Sequence, residues 1–442
     1  MTFSNIDTAA EIPANTPTGA PTNTPSGTRI GTATGTQALG GLRVLDLAWV
    51  VAGPLVGRAL ADFGATVVRV ESSLRVETAR LMGPFPGGTL NPQQSGLFEN
   101  CNAGKLGLSL DLSRAEGRAV VRDLVRDWAD VVVESFSPGQ MADWGLGYAD
   151  LSPLKPGLLM LSTSLMGQTG PWSSFAGFGN LGAAVAGYQG IVGWPDALPI
   201  GPFGPYTDYV APRFGLVCLL AALDHRRRTG QGGWLDLSQA EAGIQFLAPW
   251  IAQCAANGRE PAACGNRDAA MAPHGVYACA ATPDDADPWV AVAVRSDREW
   301  QRLAELVGGA ALAHDPRFAT LDLRQANEDA LEAIVGAWTA QRSAAEVEQA
   351  LLAIGVPVHK AASSADMAAD PQLAARGHFV QLPHASMGLC TVENARYLLS
   401  GTPAATPRSA PTFGRDNLQV LRDFAGYSDR KITELVDAGV LR

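Results

Sequence analysis

No Cys-x-x-Cys pair occurs in this chain: its six cysteines, Cys101, Cys218, Cys254, Cys264, Cys279 and Cys390, lie far apart. That spacing suggests neither a zinc knuckle nor a disulfide framework. The six histidines, His225, His274, His314, His359, His378 and His384, are equally scattered and form no His-x-x-x-His or His-Glu-x-x-His pattern. No dedicated metal site is expected. Long apolar runs are missing too. A membrane span needs about 18 uninterrupted apolar residues, and the best candidate, Val210 to Leu223, is short and carries Arg213. It reads as a buried helix. The N-terminus lacks the charged and apolar regions of a secretory signal. With the unpaired cysteines, this gives the expectation of a cytoplasmic protein without a membrane partner.

Positive charge is also short, with 33 Lys and Arg against 43 Asp and Glu and a formal net charge of −10. The basic residues are dispersed, so nucleic acid is not an expected partner. A compact polyanionic ligand stays open, because backbone N–H groups at helix N-termini hold phosphates whatever the net charge. The loop after the first predicted strand, Ala-Trp-Val-Val-Ala-Gly-Pro, lacks Gly-x-Gly-x-x-Gly, which weakens a dinucleotide reading. P-loop, Gly-x-Ser-x-Gly and Cys/His nucleophile patterns are absent as well.

What the chain does have is apolar material, 47% of its 442 residues, enough for two packed domains. Residues 1 to about 40 are rich in Thr, Pro, Ala, Gly and Asn and are read as a disordered tail. From Leu42 onward strands and helices alternate. Leu42–Leu47 is a predicted strand, Pro54–Phe63 a helix with proline at its first position, and Ala65–Glu71 the next strand, a β-α-β unit. A helix follows to about Trp128, opened by Ser113 and Glu116 as a capping box. Strands are then predicted at Asp130–Ser135 and Leu158–Ser164. After a glycine-rich apolar stretch, Phe178–Gly193, come a helix from about Asp208 to Arg228, strand Gly233–Leu237, and a helix capped by Ser238 and Glu241 and kinked at Pro249. This is the N-terminal part of a large α/β domain, residues 41–250. Residues 251–365 read as a linker and a smaller α+β domain, with strands at Gly275–Ala280 and Trp289–Val294 and helices at Asp297–Val307 and Ala344–Ile354. The remainder, 366–442, is rich in Pro and Gly and ends in two short helices around Asn417–Phe424 and Asp429–Ala438.

Asp208 stands in Gly-Pro-Phe-Gly-Pro-Tyr-Thr-Asp-Tyr-Val-Ala-Pro, where a glycine and proline turn delivers a carboxylate to the start of a long apolar helix. The residues leave two readings. Asp208 is an ordinary helix N-cap, or it is a nucleophile whose ionised form the helix dipole favours and whose reactivity an apolar setting raises.

A series of ordered motifs weighs on that choice. They are Gly-Leu-Arg-Val-Leu-Asp-Leu at 41–47, Ala-Gly-Pro at 52–54 and Phe-Gly-Ala-Thr-Val-Val-Arg-Val-Glu at 63–71. Asp-Val-Val-Val-Glu-Ser-Phe-Ser-Pro-Gly follows at 130–139 and Arg-Arg-Thr-Gly-Gln-Gly at 227–232. Gly-Val-Pro-Val at 355–358 and Asp-Pro-Gln-Leu-Ala-Ala-Arg-Gly at 370–377 complete the series. In this order the chain from Leu42 to its C-terminus resembles the family III CoA-transferases, the group that includes formyl-CoA and carnitine CoA-transferases. The resemblance implies a large Rossmann-like parallel-sheet domain closed by residues 366–442 returning from the smaller α+β domain, and an interlocked dimer. It implies transfer of CoA between carboxylic acids, with Asp208 as the nucleophile that passes through anhydride and aspartyl-CoA thioester intermediates. No permanently bound cofactor is implied; CoA thioesters enter as substrates.

The same resemblance sets CoA against Ala52 and Gly53 at its pantetheine end and against Leu110 and Phe136 near adenine and ribose, with Ser135 beside them. Core packing is the alternative for these apolar residues. Formyl-CoA transferase has glutamine where this chain has Val51, and Ser135 and Asp143 stand where some relatives have asparagine and arginine. Trp49 and Val51 imply a more apolar substrate pocket, and with Phe178, Tyr188 and Trp194 they suggest an acceptor bulkier than formate or oxalate. Succinyl-CoA is the donor this group often uses, and aryl-substituted or branched dicarboxylic acids such as benzylsuccinate are candidate acceptors. His274 either faces the active site or is a loop histidine bonded to backbone. Other functions stay in view: an α-methylacyl-CoA racemase, a subunit paired with a related chain instead of a homodimer, or a flavin or nicotinamide oxidoreductase. The racemase needs two proton-transfer groups; its Gly-His-Asp motif would fall at Ser174–Gly179, which reads Ser-Phe-Ala-Gly-Phe-Gly.

Overall fold

In the computed structural model, residues 37–442 are described; the expected tail falls almost wholly outside them. Six strands form one sheet in the order β3-β2-β1-β4-β5-β6. They are β1 (Arg43–Asp46), β2 (Thr66–Glu71), β3 (Leu106–Ser109), β4 (Val131–Glu134), β5 (Leu159–Ser164) and β6 (Gly233–Ser238), and all their pairings are parallel. Runs such as Val131–Glu134 and Leu159–Ser164 are buried along their whole length, as expected for strands covered on both faces by helices. One apolar layer, including Leu45, Val68, Leu108, Leu124 and Val132, lies on one side. Val44, Val56, Leu60, Val131, Leu161 and Leu219 form the other. This is the α/β architecture expected from the alternation.

Local signals moved some boundaries. The first helix runs Ala52–Asp62 with Val51 at its cap, so Pro54 is its third residue, not its first. Ser113 and Glu116 form no capping box: the helix begins at Ala115 without a side-chain cap, and the Ser113 hydroxyl donates to Asp111 Oδ1 at 2.6 Å. Ser238 does cap the helix Gln239–Ile244 by accepting the Glu241 N–H. A single 3-10 turn then leads into the helix Ala248–Asn257, with Pro249 in its first turn.

A smaller antiparallel sheet, β7 (His274–Ala278), β8 (Trp289–Ala293) and β9 (Val358–Lys360), has its own core of Tyr277, Val290, Val292, Trp300, Phe318 and Leu351. The hairpin of β10 (Phe379–His384) and β11 (Gly388–Glu393) packs Leu382, Cys390 and Val392 around Ala103. The last residues cover the free edge of β3. Gly107 N–H donates to Asp416 Oδ2 at 2.7 Å and Ser109 N–H to Asn417 Oδ1 at 2.8 Å, and Phe424 stacks on Trp128. An edge strand whose amides are taken by side chains offers no template for pairing. Among the described residues, no helix is long and apolar enough to cross a membrane.

Candidate active site

Strand order reverses between β1 and β4. In open parallel sheets that switch point opens a crevice at the carboxyl ends of the strands, because the flanking crossovers depart to opposite sides. A cleft lies there in this chain. Its walls include Trp49, Val50, Val51 and Ala52 after β1, Ser135 and Phe136 after β4, and Ser164 and Leu165 at the end of β5. The two loops are tied directly: Trp49 N–H donates to Ser135 Oγ at 2.8 Å. Phe136 packs edge-on against both Trp49 and Trp144.

Asp208 lines this cleft, but not as the cap of its own helix. That helix is Tyr206–Thr229 with Pro205 at the cap position, and Asp208 is its third residue. Its carboxylate instead reaches another helix, Gly179–Ala186, and Oδ2 accepts the Gly179 N–H at 3.1 Å. Two helix N-termini therefore converge on one carboxylate, and both dipoles favour its negative charge. Gly179 makes the convergence possible. A Cβ there would stand 2.5 Å from Asp208 N and Pro205 O, so only glycine lets the two helix starts touch. The glycine-rich stretch is thus a packing device. Burial pushes the Asp208 carboxyl up to about 6, against the opposing pull of hydrogen bonds from Gly179 and the Gln239 side chain.

The other expected site residues divide. Trp49, Val51, Ala52, Ser135 and Phe136 line the cleft with Asp208. Leu110 lines an adjoining lobe with Val70, Leu112 and Trp144, and Trp49, Arg75 and Phe136 belong to both lobes. Gly53 lies underneath, where a Cβ would overlap that of Ala48. His274 is not brought to this cleft. It sits on β7 in a groove of the smaller sheet, its Nδ1 2.6 Å from the Asn266 carbonyl oxygen. Phe178 lines the cleft, whereas Tyr188 is buried with its hydroxyl donating to the Gly243 carbonyl and Trp194 lies over Gly265.

Two residues escaped the sequence reading. Gln239 opens the helix after β6 and faces Asp208, a placement visible only once β6 is seen beside β5. Arg75, an exposed residue after β2, holds its guanidinium 5.4 Å from the Trp49 ring centroid and, among the described residues, is the one cationic side chain lining the cleft, at the junction of the lobes. Among the described residues lining the cleft beside Asp208, that residue is the sole carboxylate, and no histidine, lysine or cysteine joins it.

A six-stranded parallel sheet in this order, with a buried carboxylate at its switch-point cleft, defines a doubly wound α/β enzyme. The model of CoA-transferase family III matches residues 39–417, and the chain belongs to that family of CoA-transferases. It is 32% identical over 401 residues to succinyl-CoA--D-citramalate CoA-transferase of Chloroflexus aurantiacus, covering 90% of this chain and 97% of that one. It is 32% identical over 387 residues to succinate--glutarate CoA-transferase of Agrobacterium fabrum, covering 87% and 95%. A crystal structure of a CaiB/BaiF family protein from Brucella suis superposes with a TM-score of 0.79 at 30% identity, covering 88% of this chain and 100% of that one.

Proposed function

We propose that the protein moves CoA from an acyl-CoA donor to a free carboxylic acid, with Asp208 as covalent nucleophile. The observation that carries this reading is the isolation of Asp208: among the described residues it is the one carboxylate lining its lobe of the cleft, buried and held at two helix N-termini, while Glu71 and Asp111 line only the adjoining lobe. An Asp208 oxygen attacks the thioester carbonyl, the C–S bond breaks and CoA thiolate leaves, giving an acyl-aspartyl anhydride. The thiolate attacks the Asp208 carbonyl carbon, forming aspartyl-CoA thioester and freeing the donor acid. The acceptor carboxylate then attacks that thioester and displaces the thiolate. Attack of the thiolate on the acceptor carbonyl of the new anhydride yields acceptor-CoA and restores Asp208. Acid and thioester are exchanged for acid and thioester, so one nucleophile serves every step.

Ala52 and Ser135 bound the pantetheine end of CoA, and Leu110 in the adjoining lobe its nucleotide end, with Phe136 reaching from the junction of the two lobes toward adenine and ribose. Trp49, Val51 and Phe178 make the acyl end apolar, which favours an acceptor larger than oxalate. Succinyl-CoA or succinate figures in the names of both relatives, and succinyl-CoA is the proposed donor; a branched or aryl-substituted dicarboxylic acid is the proposed acceptor. Racemisation is disfavoured by the cleft itself. Ser174, Phe175, Ala176, Gly177 and Phe178 line it where the racemase pair would stand, and none carries a proton at neutral pH that α-carbon chemistry uses. The test is CoA exchange from succinyl-CoA to a panel of acids, with loss of α-proton to solvent followed in parallel. Asp208→Ala is expected to lose at least about a thousandfold in kcat. Exchange at the wild-type rate by that variant, or solvent deuterium in the α-position without CoA transfer, contradicts the proposal.

A further inference from the structure

The turn from β1 into the helix Ala52–Asp62 is held by side chains. Ala48 N–H donates to Asp46 Oδ1 at 3.0 Å, Trp49 N–H to Ser135 Oγ at 2.8 Å and Val50 N–H to Glu77 Oε2 at 2.7 Å. Val50 has φ 68°, and among the described residues it is the one non-glycine residue with positive φ. A β-branched side chain resists that conformation, so the surroundings must impose it.

The imposing group is a buried ion network. Glu77 Oε1 lies 2.6 Å from Arg69 Nη2, Arg69 Nη1 lies 3.6 Å from Asp46 Oδ1, and Lys105 Nζ lies 2.6 Å from Asp46 Oδ2, with no side chain of the four exposed. Lys105 Nζ also donates to the Pro54 carbonyl at 2.8 Å, which fixes the first turn of the helix. Arg69 belongs to β2 and Asp46 to β1, so the parallel pair that builds the sheet also anchors the turn. On the other side of the turn, Trp49, Val50 and Val51 face the cleft that holds Asp208. Glu77 does not line either lobe.

We infer that Glu77 is a positioning residue: by accepting the Val50 N–H from a buried ion network, it holds the Trp49–Val51 wall in a strained shape that fits the acyl-CoA opposite Asp208. The inference rests on the acyl-CoA reading of the cleft. Backbone strain kept at a site wall, where a glycine or an ordinary turn would relieve it, points to a requirement of the bound ligand rather than of the fold.

The test uses variants of the full chain. Glu77→Gln keeps an acceptor but removes the charge, and kcat/KM for succinyl-CoA is expected to fall between about tenfold and a hundredfold. Glycine adopts φ 68° without penalty, so Val50→Gly added to Glu77→Gln is expected to recover most of that loss while Tm stays lowered. A residue needed only for folding shows no such split. If Glu77→Gln does not accumulate, Val50→Pro is read instead: it locks φ near −65°, leaves the Arg69–Glu77 pair intact, and is expected to give folded protein with a similar loss. Wild-type kcat/KM in Glu77→Gln or Val50→Pro, or no recovery on adding Val50→Gly, overturns the inference. A covalent CoA adduct on Asp208 is followed in every variant. Its absence from the wild type counts against the nucleophile; equal rates of formation in wild type and Glu77→Gln count against the role of Glu77 alone.

Discussion

Opposing forces act on the Asp208 carboxyl. Burial raises its pKa to about 6, while the Gly179 N–H and Gln239 pull it down. The folded state therefore holds this proton more tightly than the unfolded chain, whose carboxyl titrates near 3.8. Ionising Asp208 destabilises the fold: the penalty is absent below about pH 4, grows from there to pH 6, and is complete above it. Asp208→Asn is expected to raise stability at pH 7–8 by up to about 3 kcal/mol, with the gain vanishing at pH 4, as denaturant unfolding across that range would check. Since only the ionised form attacks, kcat/KM is expected to fall about tenfold per pH unit below pH 6; a flat profile from pH 8 to pH 5 argues against it. Part of this residue was legible in the sequence. The turn residues before Asp208 announced a carboxylate at a helix start, but not which helix it serves, because Gly179 reaches it only through tertiary packing. Glu77 gave no signal at all. In Ser-Leu-Arg-Val-Glu-Thr it reads as one more surface charge, and its burial follows from Arg69 being buried on β2.

At the scale of elements, the site is a meeting of starts: the helices Gly179–Ala186 and Tyr206–Thr229 touch end to side, and the turn after β1 closes the cleft opposite. Gly179→Ala places a methyl against backbone atoms that cannot move without shifting Asp208. It is expected to cost about 1–3 kcal/mol of stability and to reduce kcat more than tenfold; a variant with unchanged kcat would show that the helix contact does not set the carboxylate. Strongly periodic helices and buried valine runs were readable from the chain. Short pieces were not. β3, Leu106–Ser109, is only four residues long, too few for its Leu-Gly-Leu-Ser alternation to mark a strand by itself, and β10 hides behind Pro383, tolerated because β10 pairs with a single neighbour in its two-stranded hairpin. The capping box at Ser113 failed because Asp111, two residues earlier, captured the hydroxyl first.

Across the whole molecule, apolar surface is left uncovered. The helix Ala248–Asn257 buries none of its residues, and Phe246, Trp250 and Ile251 are each about half exposed, as is Trp194, while Phe203 is fully so. Patches of this kind mark interaction surfaces, and we propose that a second copy of the chain covers them, as the dimer implied by the family resemblance would. Light scattering is expected to give twice the 46.2 kDa chain mass at micromolar concentration; a stable monomer with full activity contradicts it. The strand order of the sheet, and with it the position of the cleft, was not readable from the chain, because parallel pairing is set by crossovers tens of residues long.

The central claim is that one aspartate carries CoA. Incubating the protein with succinyl-CoA, quenching, and mapping peptides by mass spectrometry with and without hydroxylamine tests it most directly. The account predicts a CoA-mass adduct on the peptide containing Asp208, converted by hydroxylamine to the hydroxamate and missing from Asp208→Asn. Turnover with no adduct on that peptide, or the same adduct on another residue, would contradict it.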